Sequence, residues 1–213
     1  MNGKRYGRIA VLGAAAVLLA GCGGGGGDEP ADKPLGKKQL DAVLPDAKAM
    51  SGWKVAARLP AEPLPEVSRT TLCGGHKSAC DGLRSFAQST YTDPGKEFSV
   101  LVSVFAAEDA AGAEPAYDRL WERVEESVGQ SKGLEAGTLG DEHYALQTEY
   151  GRTGGPAAQI QVRVGATVLQ ITGEALRPGN ALDLDAVVDV ATVVTERAEQ
   201  AGRGEAPSAV LGG

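Results

Sequence analysis

The sequence predicts an α+β domain: a mainly antiparallel sheet of about five to six strands with helices packed on one face. Three observations carry this. Several short segments alternate apolar and polar residues, and short glycine- or proline-bearing turns join them, which suits hairpins rather than crossovers. Two longer segments, Asp109–Val128 and Asp183–Gln200, place apolar residues at helical spacing. The strands are apolar on one side and mostly polar on the other, which offers one face to helices and the other to solvent.

The first helical segment runs from Lys38 to Met50, with Leu40, Val43 and Leu44 on one stripe. Pro45 lacks an N–H and ends or interrupts it. Trp53 follows Ser51-Gly52 and opens a short strand, Lys54 to Leu59. Pro63 and Pro65 make Glu62 to Glu66 a loop. Ser85–Tyr91 and Glu97–Phe105 form a hairpin around Thr92-Asp93-Pro94-Gly95, where Pro94 presets φ and Gly95 permits a positive one. In its second strand Phe98, Val100, Val102 and Val104 share one face, and Ser99, Leu101, Ser103 and Phe105 the other.

Asp109–Val128 carries Leu120, Val124 and Val128 on one stripe, with Tyr117 and Trp121 beside it. Pro115 predicts a kinked or two-piece helix there. His143–Tyr150 is a strand, and Arg152–Pro156 a glycine-rich turn. Ala157–Val164 and Thr167–Thr172 make the best-specified hairpin, because Gly165-Ala166 suits a type II′ turn. That register pairs Val162 with Leu169 and Ile160 with Ile171 on the apolar face. On the polar face it pairs Arg163 with Val168, Gln161 with Gln170 and Gln159 with Thr172. The last helix, Asp183–Gln200, buries Leu184, Val187, Val188, Ala191, Val194 and Ala198, with acids at its start and Arg197 in its last turn.

Ahead of this domain, Lys4, Arg5 and Arg8 precede an apolar run from Ile9 to Ala20, which is too short for the ~18–20 residues of a bilayer span. Leu19-Ala20-Gly21-Cys22 resembles the lipobox of bacterial lipoprotein precursors. The resemblance implies a signal peptide over 1–21 and a diacylglyceryl group on Cys22, a lipid anchor in the cell membrane on its extracytoplasmic face. Residues 22–36 read as a glycine-rich tether, 37–200 as the domain, and 201–213 as a disordered tail.

Loss of residues 1–21 removes three of the 21 basic residues and leaves 18 against 28 acidic ones, a net charge of −10. That balance excludes nucleic acid as a partner and opposes polybasic docking on anionic lipid. With Cys22 assigned to lipid, Cys73 and Cys80 are expected to form a disulfide, as an isolated pair in an exported chain usually does. Zinc held by Cys73, His76 and Cys80 would lack a fourth ligand. No metal or other cofactor is expected.

The chain contains no G-x-S-x-G elbow, H-E-x-x-H helix or P-loop lysine. His143 has no nucleophile motif with it and reads as a strand residue. Glu122, Glu125 and Glu126 share a helix with Arg119 and Arg123, which suits local ion pairs. No catalytic residue is therefore assigned.

Leu40-x-x-Val43-Leu44-Pro45-Asp46-Ala47-x-x-Met50-x-Gly52-Trp53, Leu139-Gly140-Asp141-Glu142 and Val162-Arg163-Val164-Gly165 resemble segments of actinobacterial surface lipoproteins. Abundant Gly and Ala agree with such a high-GC source. Over about residues 38–200 the arrangement is similar to the extracellular sensor domain of mycobacterial Ser/Thr receptor kinases. It departs from that family in having no kinase, and one expected disulfide where the sensor has two. The resemblance implies a helix-backed antiparallel sheet with a ligand cleft. The expected function is a non-catalytic ligand-binding or sensor-like domain; the alternative is a module that holds another envelope protein. Gln161, Arg163 and Gln170, paired or adjacent across the hairpin, are the expected ligand-binding residues.

Overall fold

A computed structural model describes residues 34–64 and 80–212. Cys22, with the lipobox, and Cys73 lie outside the described residues. The elements are α1 (Lys37–Val43), β1 (Lys54–Pro63), β2 (Leu83–Thr92), β3 (Phe98–Ala107), α2 (Ala110–Ser127), β4 (Ser131–Gly133), β5 (Glu142–Thr148), β6 (Ala157–Val164), β7 (Thr167–Ala175) and α3 (Leu184–Gly202). The strands form one sheet in the order β1-β2-β3-β7-β6-β5-β4. Every neighbouring pair is antiparallel. The fold is α+β, as the period of the sequence predicts. The seventh strand is β4, whose Ser-Lys-Gly has no apolar alternation to betray it.

The β6–β7 hairpin has the expected register, with Val162 opposite Leu169 and Ile160 opposite Ile171. Gly165 takes φ +52° and Ala166 does not go positive, as a turn with glycine first requires. The β2–β3 turn departs from expectation. The positive φ falls on Lys96, at +58°, rather than on Gly95. Asp93 is the cause: its carboxylate accepts from the Glu97 and Phe98 amides at 2.7 and 2.9 Å, which pulls the residues after Pro94 back over it.

Helices lie on both faces of the sheet, not on one. On one face α1 and α3 bury Leu40, Val43, Val187, Val190, Ala191 and Val194 against Val100, Val102, Val104, Ile160, Leu169 and Ile171. On the other, α2 buries Ala113, Ala116, Tyr117 and Leu120 against Phe86, Phe105 and Val168. The sheet's second face carries enough apolar residues at one end to hold a helix, so the polar pattern there is local. α2 is one helical segment rather than two. Asp109 caps it by accepting from the Gly112 amide at 2.7 Å, which lets Pro115 sit in the second turn, where only one ladder bond is lost. Asp183 caps α3 in the same way.

The tail was expected to be disordered from 201. Instead α3 continues to Gly202, and residues 205–212 fold back along it. The Leu211 amide donates to the Ala49 carbonyl at 2.8 Å, and the Ser208 amide to Gln200 at 2.7 Å. Arg197, only 7% exposed, fastens this arrangement. Its guanidinium donates to the carbonyls of Val43, Ala42 and Ala209 at 3.1, 2.8 and 2.9 Å. Arg58 caps the neighbouring carbonyls of Asp41, Leu44 and Pro45, and the buried Tyr91 hydroxyl donates to Pro45 as well. The C-terminal carbonyls of the short α1, which have no partner within the helix, are thus satisfied by side chains of other elements.

Candidate functional site

The register divides the α2 face into four rungs that cross β3, β7, β6 and β5. They are Phe105-Val168-Arg163-Glu142, then Ser103-Gln170-Gln161-Tyr144, then Leu101-Thr172-Gln159-Leu146, then Ser99-Glu174-Ala157-Thr148. α2 covers the first two. The three expected ligand-binding residues stand on those two rungs, and the helix replaces the open surface expected there.

Gln161 is 1% exposed. Its side-chain amide donates to the Tyr117 carbonyl of α2 at 2.6 Å and accepts from Gln170 at 2.9 Å. Arg163 bridges Glu142 and Asp141, the latter at 3.1 Å. Burial pulls its pKa down, but the hydrogen bond to Glu142 and the two carboxylates more than offset this, and it stays charged. Tyr144 stacks on Tyr117 and Trp121, each with ring centroids 5.1 Å apart. The Tyr117 hydroxyl is pushed above its usual pKa range by burial, and remains protonated. Gln161 and Tyr144 seat the helix, through the Tyr117 carbonyl and the Tyr117 and Trp121 rings, while Arg163 ties the hairpin end to the start of β5.

The last two rungs run out beyond the C-terminal end of α2. There they floor a cleft of about 600 Å³, walled by Arg123, Ser127 and Val128 of the helix end and by Tyr150, Gly151 and Arg152 of the β5–β6 loop. Thr172 donates to the Gln159 side-chain oxygen at 2.6 Å. Among the described residues the Gln159 N–H₂ group has no protein partner, so it is available in the cleft. Glu174 is buried under the loop and organises it. It accepts from the Thr153 amide at 2.8 Å and pairs with Arg152 at 3.3 Å. Gly151 is required for this closeness: a Cβ there would stand 2.7 Å from the Ala157 Cβ and 2.9 Å from a Glu174 oxygen. A second cavity, about 650 Å³, lies beyond the loop and shares Thr148 and Tyr150 with the first.

Both volumes fall in the range of small-molecule sites, about 300–1,000 Å³. The cleft offers amide and hydroxyl groups and a paired arginine and carboxylate, which suits recognition. Among the described residues no group of three metal-ligating side chains is assembled. Cys80 is fully buried and disulfide-bonded. His143 lies in β5 opposite Val162, on the face away from the cleft.

Sequence reasoning placed Gln159 and Thr172 on the polar face but missed Tyr150, Arg152 and Glu174 as a group. One signal was available. Leu101, Phe105 and Val168 sit on the nominally polar face, which shows that a helix could cover part of it and confine any opening to the remainder.

No family model matches the chain, and no curated protein matches it in sequence. Solved structures do match. The extracellular domain of PknH from Mycobacterium tuberculosis superposes with a TM-score of 0.51 at 13% identity, covering 82% of this chain and 100% of that one. An uncharacterized protein (Rv0999 ortholog) from Mycobacterium smegmatis gives 0.47 at 12% identity, covering 80% and 98%. At these identities the likeness is one of fold.

Proposed function

We propose that this chain is an extracytoplasmic ligand-binding or sensor-like domain, non-catalytic, and held at the membrane by lipid on Cys22. The observation that carries the binding reading is the cleft beyond α2. There a sheet surface that could have been covered is left open over Gln159 and Thr172, and a loop pinned by Glu174 forms its rim. The lipobox and the short apolar run support the anchor. The fold shared with an extracellular domain supports the location. Cys80 is expected to pair with Cys73 across a short loop, worth about 2.5 kcal/mol on the chain-entropy account, which leaves Cys22 for the lipid.

Thermal unfolding of the full chain against amino acids, nucleotides, sugar phosphates and cell-wall fragments tests the binding role. A ligand at about 100 times its Kd adds about 2.7 kcal/mol. For a domain of this size that raises Tm by roughly 5–10 °C. Gln159→Ala should abolish the shift. A panel without any shift, or a shift that survives Gln159→Ala, would place binding elsewhere or nowhere, and cross-linking to an envelope protein would then become the experiment of choice.

A further inference from the structure

We infer that the two cavities on either side of Tyr150 are consecutive subsites for a linear, uncharged oligosaccharide, with the tyrosine ring as the platform between them. This rests on the ligand-binding reading above and gives it a ligand class.

Tyr150 is 76% exposed, well above Leu59 at 47%, the next most open large apolar side chain among the described residues. A ring so open contributes little to the core. It lines both cavities, together with Thr148. It therefore stands where a chain passing from one to the other must cross. Its backbone is held by a loop that Glu174 fixes through Arg152 and Thr153. The backbone that carries the platform is thus held in advance, which lowers the ordering cost of binding.

The surrounding groups match a sugar. A pyranose has an apolar C–H face and a rim of hydroxyls that both donate and accept. The face packs on an aromatic ring, and the rim needs amides, hydroxyls and planar charged groups. The first cavity supplies Gln159, Thr172 and the Arg152–Glu174 pair. The second supplies Gln130, Gln147 and Lys132.

Charge argues for an uncharged ligand. Arg123, Arg152 and Glu174 line one cavity, and Lys132 and Glu149 the other, so neither has the single sign that selects a polyanion. Peptide recognition is the weaker fit. The edge strand at the second cavity, β4, is three residues long. Beyond Tyr150, the apolar side chains that an anchor residue would need are few: Leu101, Val128 and Ala157 in one cavity and Pro156 in the other.

Calorimetric titration of the full chain with linear oligomers of N-acetylglucosamine, glucose and mannose, from monosaccharide to hexasaccharide, tests the inference. At least one series should bind, with affinity climbing as the chain lengthens and levelling once both cavities are filled. Tyr150→Ala should weaken the longest oligomer about tenfold or more, and Tyr150→Phe should keep most of the affinity. Tyr150→Ala should leave Tm unchanged, because the ring is exposed. Absence of binding in all three series overturns the inference. So does binding without length dependence, or binding indifferent to Tyr150→Ala. If the sugars are silent while a metabolite still shifts Tm through Gln159, the ligand class falls and the binding role stands. Silence in both experiments removes both.

Discussion

Arg197→Met should unfasten the end of the domain where α1, α3 and the tail meet. The wild-type guanidinium makes three hydrogen bonds to main-chain carbonyls, and burial pushes its pKa down despite the distant attraction of Asp46. Methionine fills much of the same volume but donates nothing. The Val43 carbonyl is buried and loses its side-chain donor, whereas those of Ala42 and Ala209 are partly open and recover water. An unsatisfied buried carbonyl costs about 1–3 kcal/mol, and the two exchanged bonds add a fraction each. Removal of a desolvated charge gives some of this back. The net loss works out at about 2 kcal/mol, a fall in Tm of roughly 4–8 °C. Urea titration followed by far-UV circular dichroism measures it, with the m-value unchanged if only stability moves. Hydrogen exchange at the Leu211 amide adds a local readout, since that bond to Ala49 should open before the sheet does. Arg197→Lys should recover only part of the loss, because one ammonium cannot span two segments of chain. A loss below about 1 kcal/mol for Arg197→Met would refute the clamp, since desolvation relief would then balance the hydrogen bonds.

Gly173→Ala should destabilise by about 1–3 kcal/mol in a thermal melt. Its Cβ would stand 2.5 Å from Cγ2 of the fully buried, stiff Val187, forcing α3 away from the sheet. Lys96→Gly should stabilise by about 0.5 kcal/mol: relief of a left-handed backbone, about 1–2 kcal/mol, exceeds the added freedom of the unfolded chain. Lys96→Val should do the reverse. Asp46→Asn should be felt above the carboxylate range and vanish below it. The Ala49 amide bond, opposed by burial and helped by the Lys48 amide, holds the folded Asp46 pKa below its ordinary value. The stability it contributes is therefore full above about pH 4 and is lost as pH falls through the depressed value. Urea titrations of both proteins on either side of that range should show the gap closing in acid.

The elements legible in the sequence are those whose signals are local. Gly165-Ala166 and its flanking alternation specify the β6–β7 register, and Asp109 and Asp183 mark the starts of the two long helices. The elements that escaped depend on distant partners. β4 exists because the β5 backbone is there to pair with it. The tail has little to bury, and is held by main-chain bonds to Arg197 and Gln200. The amphipathic stripe of α2 says that it packs, but not on which side. Gln161 and Gln170 looked like a surface because amides usually are. Bonded to each other and to Tyr117, they are polar groups satisfied beneath a helix. The open amide of the same face, Gln159, lies one rung further on.

The sheet is a bulkhead. Leu35 and α1 at one end of the described chain, and Leu211 at the other, both pack on the α3 side, while the cleft opens through the α2 side. The first and last described segments therefore rest on one side of the sheet, and the cleft lies on the other. Strain introduced where those two segments meet α3 reaches the cleft only through the strands between them, so the two ends of the domain can be altered separately from the site.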